Sequence, residues 1–93
     1  MPTNWPSAEG RRLLKLLKAG KPLEGKDFAW AELRDADLRG AELNSCRLEG
    51  ADLQGALLKG ARLVAAQLKG ADLRRVDLRQ ADLRGADLLQ ARL

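Results

Sequence analysis

The feature that most constrains this chain is an apolar residue at every fifth position, from Phe28 to its last residue, Leu93. We call these residues the repeat centres. A small residue, usually alanine, lies two positions before each centre, with Lys26 as the exception, and Leu23 is a candidate for a degenerate earlier centre. The fourteen centres are Phe28, Leu33, Leu38, Leu43, Leu48, Leu53, Leu58, Leu63, Leu68, Leu73, Leu78, Leu83, Leu88 and Leu93.

A period of five fits neither a helix nor a straight strand. On an α-helix, at about 100° per residue, successive centres would move around the axis by about 140° and form no buried stripe. On a strand, an odd period places alternate centres on opposite faces. A chain that turns once per repeat brings every centre to one axis. The period therefore predicts an all-β solenoid.

Glycine recurs two residues after the centre, which is the third position of the turn that leads to the next repeat. A type II turn needs a positive φ at that position, and glycine takes it without strain. Other repeats have Trp30, Asp35, Arg75, Gln80 or Gln90 there. We therefore predict mixed turn types, with negative φ where glycine is absent.

The segments Ala51-Asp52-Leu53-Gln54-Gly55 and Ala71-Asp72-Leu73-Arg74-Arg75 resemble the repeat of pentapeptide-repeat proteins, alanine, aspartate or asparagine, leucine and two variable residues. The resemblance covers about three-quarters of the chain. It implies a right-handed, four-sided parallel β-helix with twenty residues per coil, hence about 3.5 coils. We divide the chain into an N-terminal segment, residues 1–24, and a repeat domain, residues 25–93.

Residues twenty apart should stack in such a coil. Acidic residues mostly precede the centres and basic residues mostly follow them, so the two outer columns should compensate each other. An alternative is that one basic column, Arg39, Lys59 and Arg79, faces an acidic partner. Leu57 and Val64 occupy outer positions and are candidates for a small apolar contact. Cys46 belongs to an inner column, so we expect a small buried side chain.

The two ends of a solenoid need covering, because each exposes unpaired backbone groups and apolar side chains. Ser7 and Gly20 have the positions of a helix cap at either end, which predicts an amphipathic capping helix over about residues 7–19. Trp5, Trp30 and Phe28 are candidates to seal its junction with the coil. A basic helix of this kind also has an alternative use in binding membranes or nucleic acid.

The other end has no evident cap in the sequence. A layer of Leu78, Leu83, Leu88 and Leu93 would be exposed there. We hypothesise an end-to-end homodimer through this C-terminal coil; the alternative is that a cap beyond Leu93 is missing from the chain.

The residue types in the chain constrain its function mainly by excluding classes of functional site. The chain has no His or Tyr, and its two serines, Ser7 and Ser45, have no neighbouring base, so we predict no catalytic residues and no enzyme. No ligand spacing indicates a metal or another cofactor. The N-terminus lacks a long apolar run, from which we expect a cytoplasmic protein. We predict a protein-binding or scaffold module with an unidentified protein partner.

Two alternative functions remain open. One is the DNA mimicry by which some pentapeptide-repeat proteins occupy gyrase; residues 26–93 argue against it, because their 12 basic and 11 acidic residues are nearly balanced. The other is nucleic-acid or membrane binding by the basic helix. The net charge of residues 1–25 is only +3, from five basic and two acidic residues, which argues against it.

Overall fold

The N-terminal helix, α1, spans Ala8–Lys18 in a computed structural model that describes residues 7–93. Ser7 is its N-cap and accepts a hydrogen bond from the Gly10 amide at 3.2 Å. At the other end Gly20 has a φ of +70° and its amide donates to the Leu17 carbonyl, while the Lys21 amide donates to the Leu16 carbonyl. These two bonds form a Schellman motif. The predicted helix and both of its caps are confirmed.

The rest of the chain winds in coils of twenty residues with four turns each. Parallel β-bridges join residues twenty apart, from Asp27↔Arg47 to Asp72↔Arg92. Each bridge is isolated, so within residues 7–93 the expected β-solenoid consists of stacked coils with single bridging residues in place of strands. The bonds of one turn are Phe28 N–H to Arg47 O at 2.8 Å, Trp30 N–H to Glu49 O at 2.8 Å, Arg47 N–H to Lys26 O at 3.0 Å and Ala31 N–H to Phe28 O at 3.1 Å.

The core is the inside of this coil. The repeat centres from Phe28 to Leu73 are buried, and so are the alanines two residues before them. Cys46 is fully buried, as predicted, and its thiol donates to the Leu23 carbonyl at 3.0 Å. Burial also raises the pKa of this thiol. Leu23 itself is buried and starts a turn, since the Lys26 amide donates to its carbonyl, so the regular path begins one repeat before Phe28.

The prediction of mixed turns is wrong. The residue two positions after a centre has a φ between +58° and +73° in every turn from Gly25 to Gln90. Seven of these residues are glycine and seven are not, the latter being Trp30, Asp35, Ser45, Ala65, Arg75, Gln80 and Gln90. From Gly25 to Gly70 the amide at this position donates to a carbonyl of the next coil, and a turn with negative φ would break the register of the stack. The turns of the last coil keep the same φ in register with those below them. The stack therefore tolerates about 1–2 kcal/mol of backbone cost at each non-glycine position.

Burial decreases toward the last coil, residues 74–93. Leu78, Leu83 and Leu88 are only half-buried, although they hold the same inner positions as fully buried leucines one coil earlier. Leu93 is 78 % exposed. Among residues 7–93, therefore, α1 covers the apolar interior at one end, and the last coil is the least buried part.

Candidate functional site

The acidic residues before the centres make a repeated local contact, which we call the Asp–Arg clasp. Asp37 Oδ1 accepts the Arg39 backbone amide at 3.2 Å, and its two oxygens accept the Arg39 guanidinium at 2.8 and 2.7 Å. The same bidentate contact recurs at Asp72 with Arg74, Asp77 with Arg79, and Asp82 with Arg84. Each clasp joins two side chains of one repeat.

The clasp follows from the backbone. The other four amides of a typical repeat bond to neighbouring coils or close the turn, whereas the amide just after the centre points outward. An aspartate two residues earlier supplies the missing acceptor, as Asp27 does for Ala29 at 3.0 Å and Asp87 for Leu89 at 3.0 Å. This need explains why aspartate or asparagine suits the second place of the repeat.

The clasps also determine what the carboxylates can do chemically. The bond to the Arg74 guanidinium lowers the pKa of Asp72 to about 2, and the bond to the Arg79 guanidinium does the same for Asp77. A general acid or base near neutral pH needs a shift in the opposite direction. No group of His, Cys, Asp and Glu among residues 7–93 has the arrangement of a metal site. These side chains serve the coil and are poor candidates for catalysis.

The basic column predicted from the sequence is present but mostly neutralised. Arg39, Lys59 and Arg79 are all exposed on one side of the coil. Arg39 and Arg79 are held in clasps, at 2.7 and 2.8 Å from their aspartates. In the coil between them Leu57, 36 % exposed, takes the place of the aspartate before Lys59. Lys59 beside Leu57 would attract an acidic partner less strongly than the predicted column of three basic residues would.

The other predicted apolar position, Val64, is only half-buried on the next side of the coil, where its amide donates to Asn44 Oδ1 at 2.9 Å. Leu57 and Val64 thus lie on two neighbouring sides of the coil, and the small apolar contact at these residues stays a prediction.

The N-terminal cap uses the apolar face of α1. Leu13 is fully buried, and Leu14, Leu16 and Leu17 are packed against the core. Ser7 Oγ accepts the Glu32 amide at 2.9 Å, so the residue that caps the helix also satisfies the edge of the first coil.

Arg12 fixes the junction between helix and coil from outside. Its guanidinium lies 4.7 Å from the centre of the Phe28 ring and donates to the Asp27 carbonyl. Of the three aromatic residues predicted to seal this junction, Phe28 is buried and does so, while Trp5 lies outside the described residues.

Trp30 contradicts the prediction, because it is 72 % exposed and does not seal the junction. It occupies a turn position with a φ of +65°, and its ring lies across Gly50 of the next coil. A Cβ at Gly50 would overlap three carbons of the indole. The sequence signal for this site is a tryptophan in the place where the neighbouring coils have glycine, Gly50 and Gly70.

Two hollows flank the exposed indole. The one toward α1 has a volume of about 450 Å³ and is lined by Ala8, Glu9, Arg12, Asp27, Ala29 and Trp30. The one toward the last coil has a volume of about 300 Å³ and is lined by Trp30, Glu49, Gly50, Lys69, Gly70 and Gln90. Leu89, 60 % exposed, lies at the far end of the same side.

The last coil supplies a second unusual surface. One coil earlier, the amides of Leu58, Leu63 and Leu68 donate to carbonyls of the following coil. Within residues 7–93 the corresponding amides of Leu78, Leu83 and Leu88 have no backbone acceptor. The edge thus presents both unpaired amides and half-buried leucines.

No helix among the described residues is long and apolar enough to cross a membrane.

These features define a class of protein: a solenoid of five-residue repeats, four to a coil, closed at its N-terminal end by a helix. The chain belongs to the pentapeptide repeat family, whose family model matches residues 23–60 and 61–93 with eight copies of the repeat. The match confirms the resemblance found in the sequence. No curated protein matches the chain significantly.

Solved structures of the same family are similar to this chain. A pentapeptide repeat protein from the thylakoid lumen of Arabidopsis thaliana is 32% identical with a TM-score of 0.73, covering 74% of this chain and 48% of its own. One from the cyanobacterium Cyanothece is 38% identical with a TM-score of 0.65, covering 66% of this chain and 42% of its own. The chain thus spans less than half the length of either relative.

Proposed function

We propose that this chain is a non-enzymatic protein-binding module, whose right-handed, four-sided coil presents contact surfaces to other chains. The observation that carries this proposal is the edge of the last coil. Leu93 is 78 % exposed and Leu78, Leu83 and Leu88 are half-buried, beside amides that have no backbone acceptor within residues 7–93. Exposed strand edges and apolar layers of this kind favour association with another chain.

The partner we propose for this edge is a second copy of the chain, in an end-to-end homodimer. A second coil of the same dimensions would cover the leucine layer and offer carbonyls to the unpaired amides. Burying one leucine side chain fully contributes about 1.5–3 kcal/mol, so the half-buried layer leaves a substantial gain available.

The test is the molar mass in solution, measured by light scattering over a range of protein concentrations. Leu93→Asp introduces a charge into the edge and is expected to shift the protein from dimer to monomer. Gln67→Asp is the matched control, because Gln67 is exposed on an outer side and aspartate is the usual residue at that place of the repeat. A wild-type protein that stays monomeric at high concentration would refute the homodimer.

The DNA-mimic alternative is opposed by the charge pattern. Residues 26–93 carry 12 basic and 11 acidic residues, and four of the aspartates are held in clasps with arginine. A duplex mimic needs a continuous acidic surface. A supercoiling assay with gyrase and a quinolone tests this alternative, and an effect of the protein on supercoiling would favour it over our proposal.

The helix alternative is opposed by burial. The leucines of α1 are packed against the core, which leaves only its polar face for membranes or nucleic acid. Co-sedimentation with anionic vesicles, and a gel-shift with duplex DNA, are expected to give no binding at physiological salt.

A further inference from the structure

One side of the coil combines features that the fold does not require. We define the Trp30 strip as Trp30, Gly50, Gly70 and Leu89. The first three are twenty residues apart and stack on one another, and Leu89 lies beside them in the last coil, next to Gln90, with its carbonyl accepting the Gly70 amide. An indole and a leucine, 72 % and 60 % exposed, lie at its two ends, with two glycines between them, of which Gly50 is covered by the indole and Gly70 has no side-chain atom near it. We propose that this strip binds a short proline-rich segment of a partner protein in the polyproline II conformation. The proposal rests on the protein-binding function proposed above and names a second contact surface for it.

Trp30 is held against the backbone of the next coil. Its ring lies so close to Gly50 that no side chain larger than hydrogen fits there. One face of the indole is thus supported by the backbone while the residue stays largely exposed. Within residues 7–93 the indole N–H has no acceptor. A supported aromatic ring with a free N–H donor is the recognition element that proline-rich segments use, since the ring packs against proline and the N–H bonds a peptide carbonyl.

The hydrogen bonds along the strip exclude a β-strand as its occupant. An added strand needs unpaired amides along its path, but the Gly50 amide already donates to the Lys69 carbonyl at 2.9 Å and the Gly70 amide to the Leu89 carbonyl at 2.9 Å. Proline-rich segments bind through side-chain packing and their own carbonyls, so they need no such ladder.

The charges around the strip favour an occupant with little net charge. The charged residues around the strip cancel, three acidic against three basic, and Arg47 bridges two of the acids, with its guanidinium 3.7 Å from Asp27 and 3.0 Å from Glu49. A highly charged occupant such as a nucleic acid would gain no net attraction here. The six residues are Glu9, Asp27, Glu49, Arg12, Arg47 and Lys69.

The length of the strip matches a short peptide segment. Three steps between coils, at about 4.8 Å each, give the strip a length of about 14 Å. A polyproline II segment rises about 3.1 Å per residue, so four to five residues span it. The hollows of about 450 and 300 Å³ on either side of the indole each provide space for side chains of the segment.

The test uses a defined probe, the blocked hexapeptide acetyl-Pro-Leu-Pro-Pro-Leu-Pro-amide, titrated into the full chain carrying Trp5→Phe. Trp30 is then the only tryptophan, and its fluorescence reports contact with the peptide. We expect a saturable blue shift with a dissociation constant below about 1 mM, as is typical of small recognition surfaces. A peptide of the same length with leucine replaced by aspartate is expected to bind at least about tenfold more weakly.

Two variants locate the site, with binding followed by peptide NMR so that no tryptophan is needed. Trp30→Ala is expected to weaken binding about tenfold or more, as removal of a central aromatic contact does. Gly50→Ala displaces the ring and should do the same. Gly60→Ala is the matched control, because it has a φ of +71° and no atom within 4 Å of the added Cβ, so it should bind as wild type.

Failure of this inference is separable from failure of the homodimer, because each variant is also examined by light scattering. A chain that dimerises but shows no peptide binding up to several times the expected constant overturns the Trp30 strip and leaves the module function standing. Equal binding by Trp30→Ala and wild type also overturns it, as does preferential binding of the aspartate peptide. Peptide binding by a chain that never dimerises supports the strip and refutes the homodimer.

Discussion

Replacing Gly50 or Gly60 by alanine is expected to have different effects on stability, although both residues occupy the same place of the repeat. Their φ angles are +65° and +71°. An alanine there costs about 1–2 kcal/mol in backbone energy, and Ala65 demonstrates that the coil accepts one, at a φ of +60°. This cost should be common to both variants.

The difference between the two variants comes from Trp30. A Cβ at Gly50 overlaps the indole, whereas one at Gly60 meets no atom within 4 Å. Trp30 is 72 % exposed, so about 28 % of its surface is covered, and Gly50 is among the residues that cover it. For a side chain of about 250 Å² this is about 70 Å², worth about 1.7 kcal/mol at 25 cal/mol per Å². Because the displaced ring finds other contacts, we expect Gly50→Ala to lose about 1–2 kcal/mol more than Gly60→Ala.

Urea denaturation followed by far-ultraviolet circular dichroism measures this gap. With a slope of about 2 kcal/mol per M, the midpoint of Gly50→Ala should lie roughly 0.5–1 M below that of Gly60→Ala. The same two glycine substitutions, made in a chain that also carries Trp30→Ala, are the control, because the difference between their midpoints should then vanish. A gap that persists without the indole, or equal midpoints with it, would refute the contact between Trp30 and Gly50.

Four further outcomes follow from contacts described above. Ser7→Ala removes an acceptor shared by two amides and should destabilise the protein by about 1–2 kcal/mol in urea titrations. Asp77 has a pKa of about 2 against an ordinary 3.8, so its stabilising effect is present above pH 4 and is lost as pH falls toward 2; Asp77→Asn should flatten the stability curve in that window. Leu63→Ala should cost about 2–5 kcal/mol, and Leu83→Ala less at low protein concentration, where no second copy covers the half-buried Leu83. Trp30→Gly should change the unfolding free energy by less than about 1 kcal/mol, measured in the same way.

The buried part of the fold was predictable because one rule governs it. A centre at every fifth residue fails on a helix and on a strand, which leaves a path that turns once per repeat. The structure confirms the consequence residue by residue, since Leu33, Leu53 and Leu73 stack twenty apart and are all buried. The helix was predictable for a similar reason, because Ser7 and Gly20 are local signals that need no tertiary context.

The turns were not predictable from local preference. Residues such as Gln80 and Arg75 avoid a positive φ in isolation, yet both have a φ near +60°. Their conformation is imposed by the coils around them, where each turn position must donate to the next coil or lie in register with those that do. Tertiary packing overrides local preference here because neighbouring repeats share one hydrogen-bond register.

The pairing of acids and bases in the Asp–Arg clasps was also not predictable from the sequence. The sequence indicates that acidic and basic columns alternate, but it does not say which acid pairs with which base. The outward amide after each centre decides this, since it draws the aspartate of its own repeat and brings Asp77 within reach of Arg79. Where the aspartate is missing, as at Leu57, the pattern of pairing changes and an apolar side chain is left on the surface.

The energetics of Trp30 explain why we assign it to binding. Its left-handed backbone costs about 1–2 kcal/mol, and its covered surface returns about 1.7 kcal/mol, so the residue contributes almost nothing to folding. Gln80 and Gln90 adopt a similar φ, and their exposed polar side chains are well solvated. A tryptophan in that place exposes a large apolar ring without a compensating gain in folding stability. Burial of the exposed part of the ring becomes favourable only when another molecule covers it.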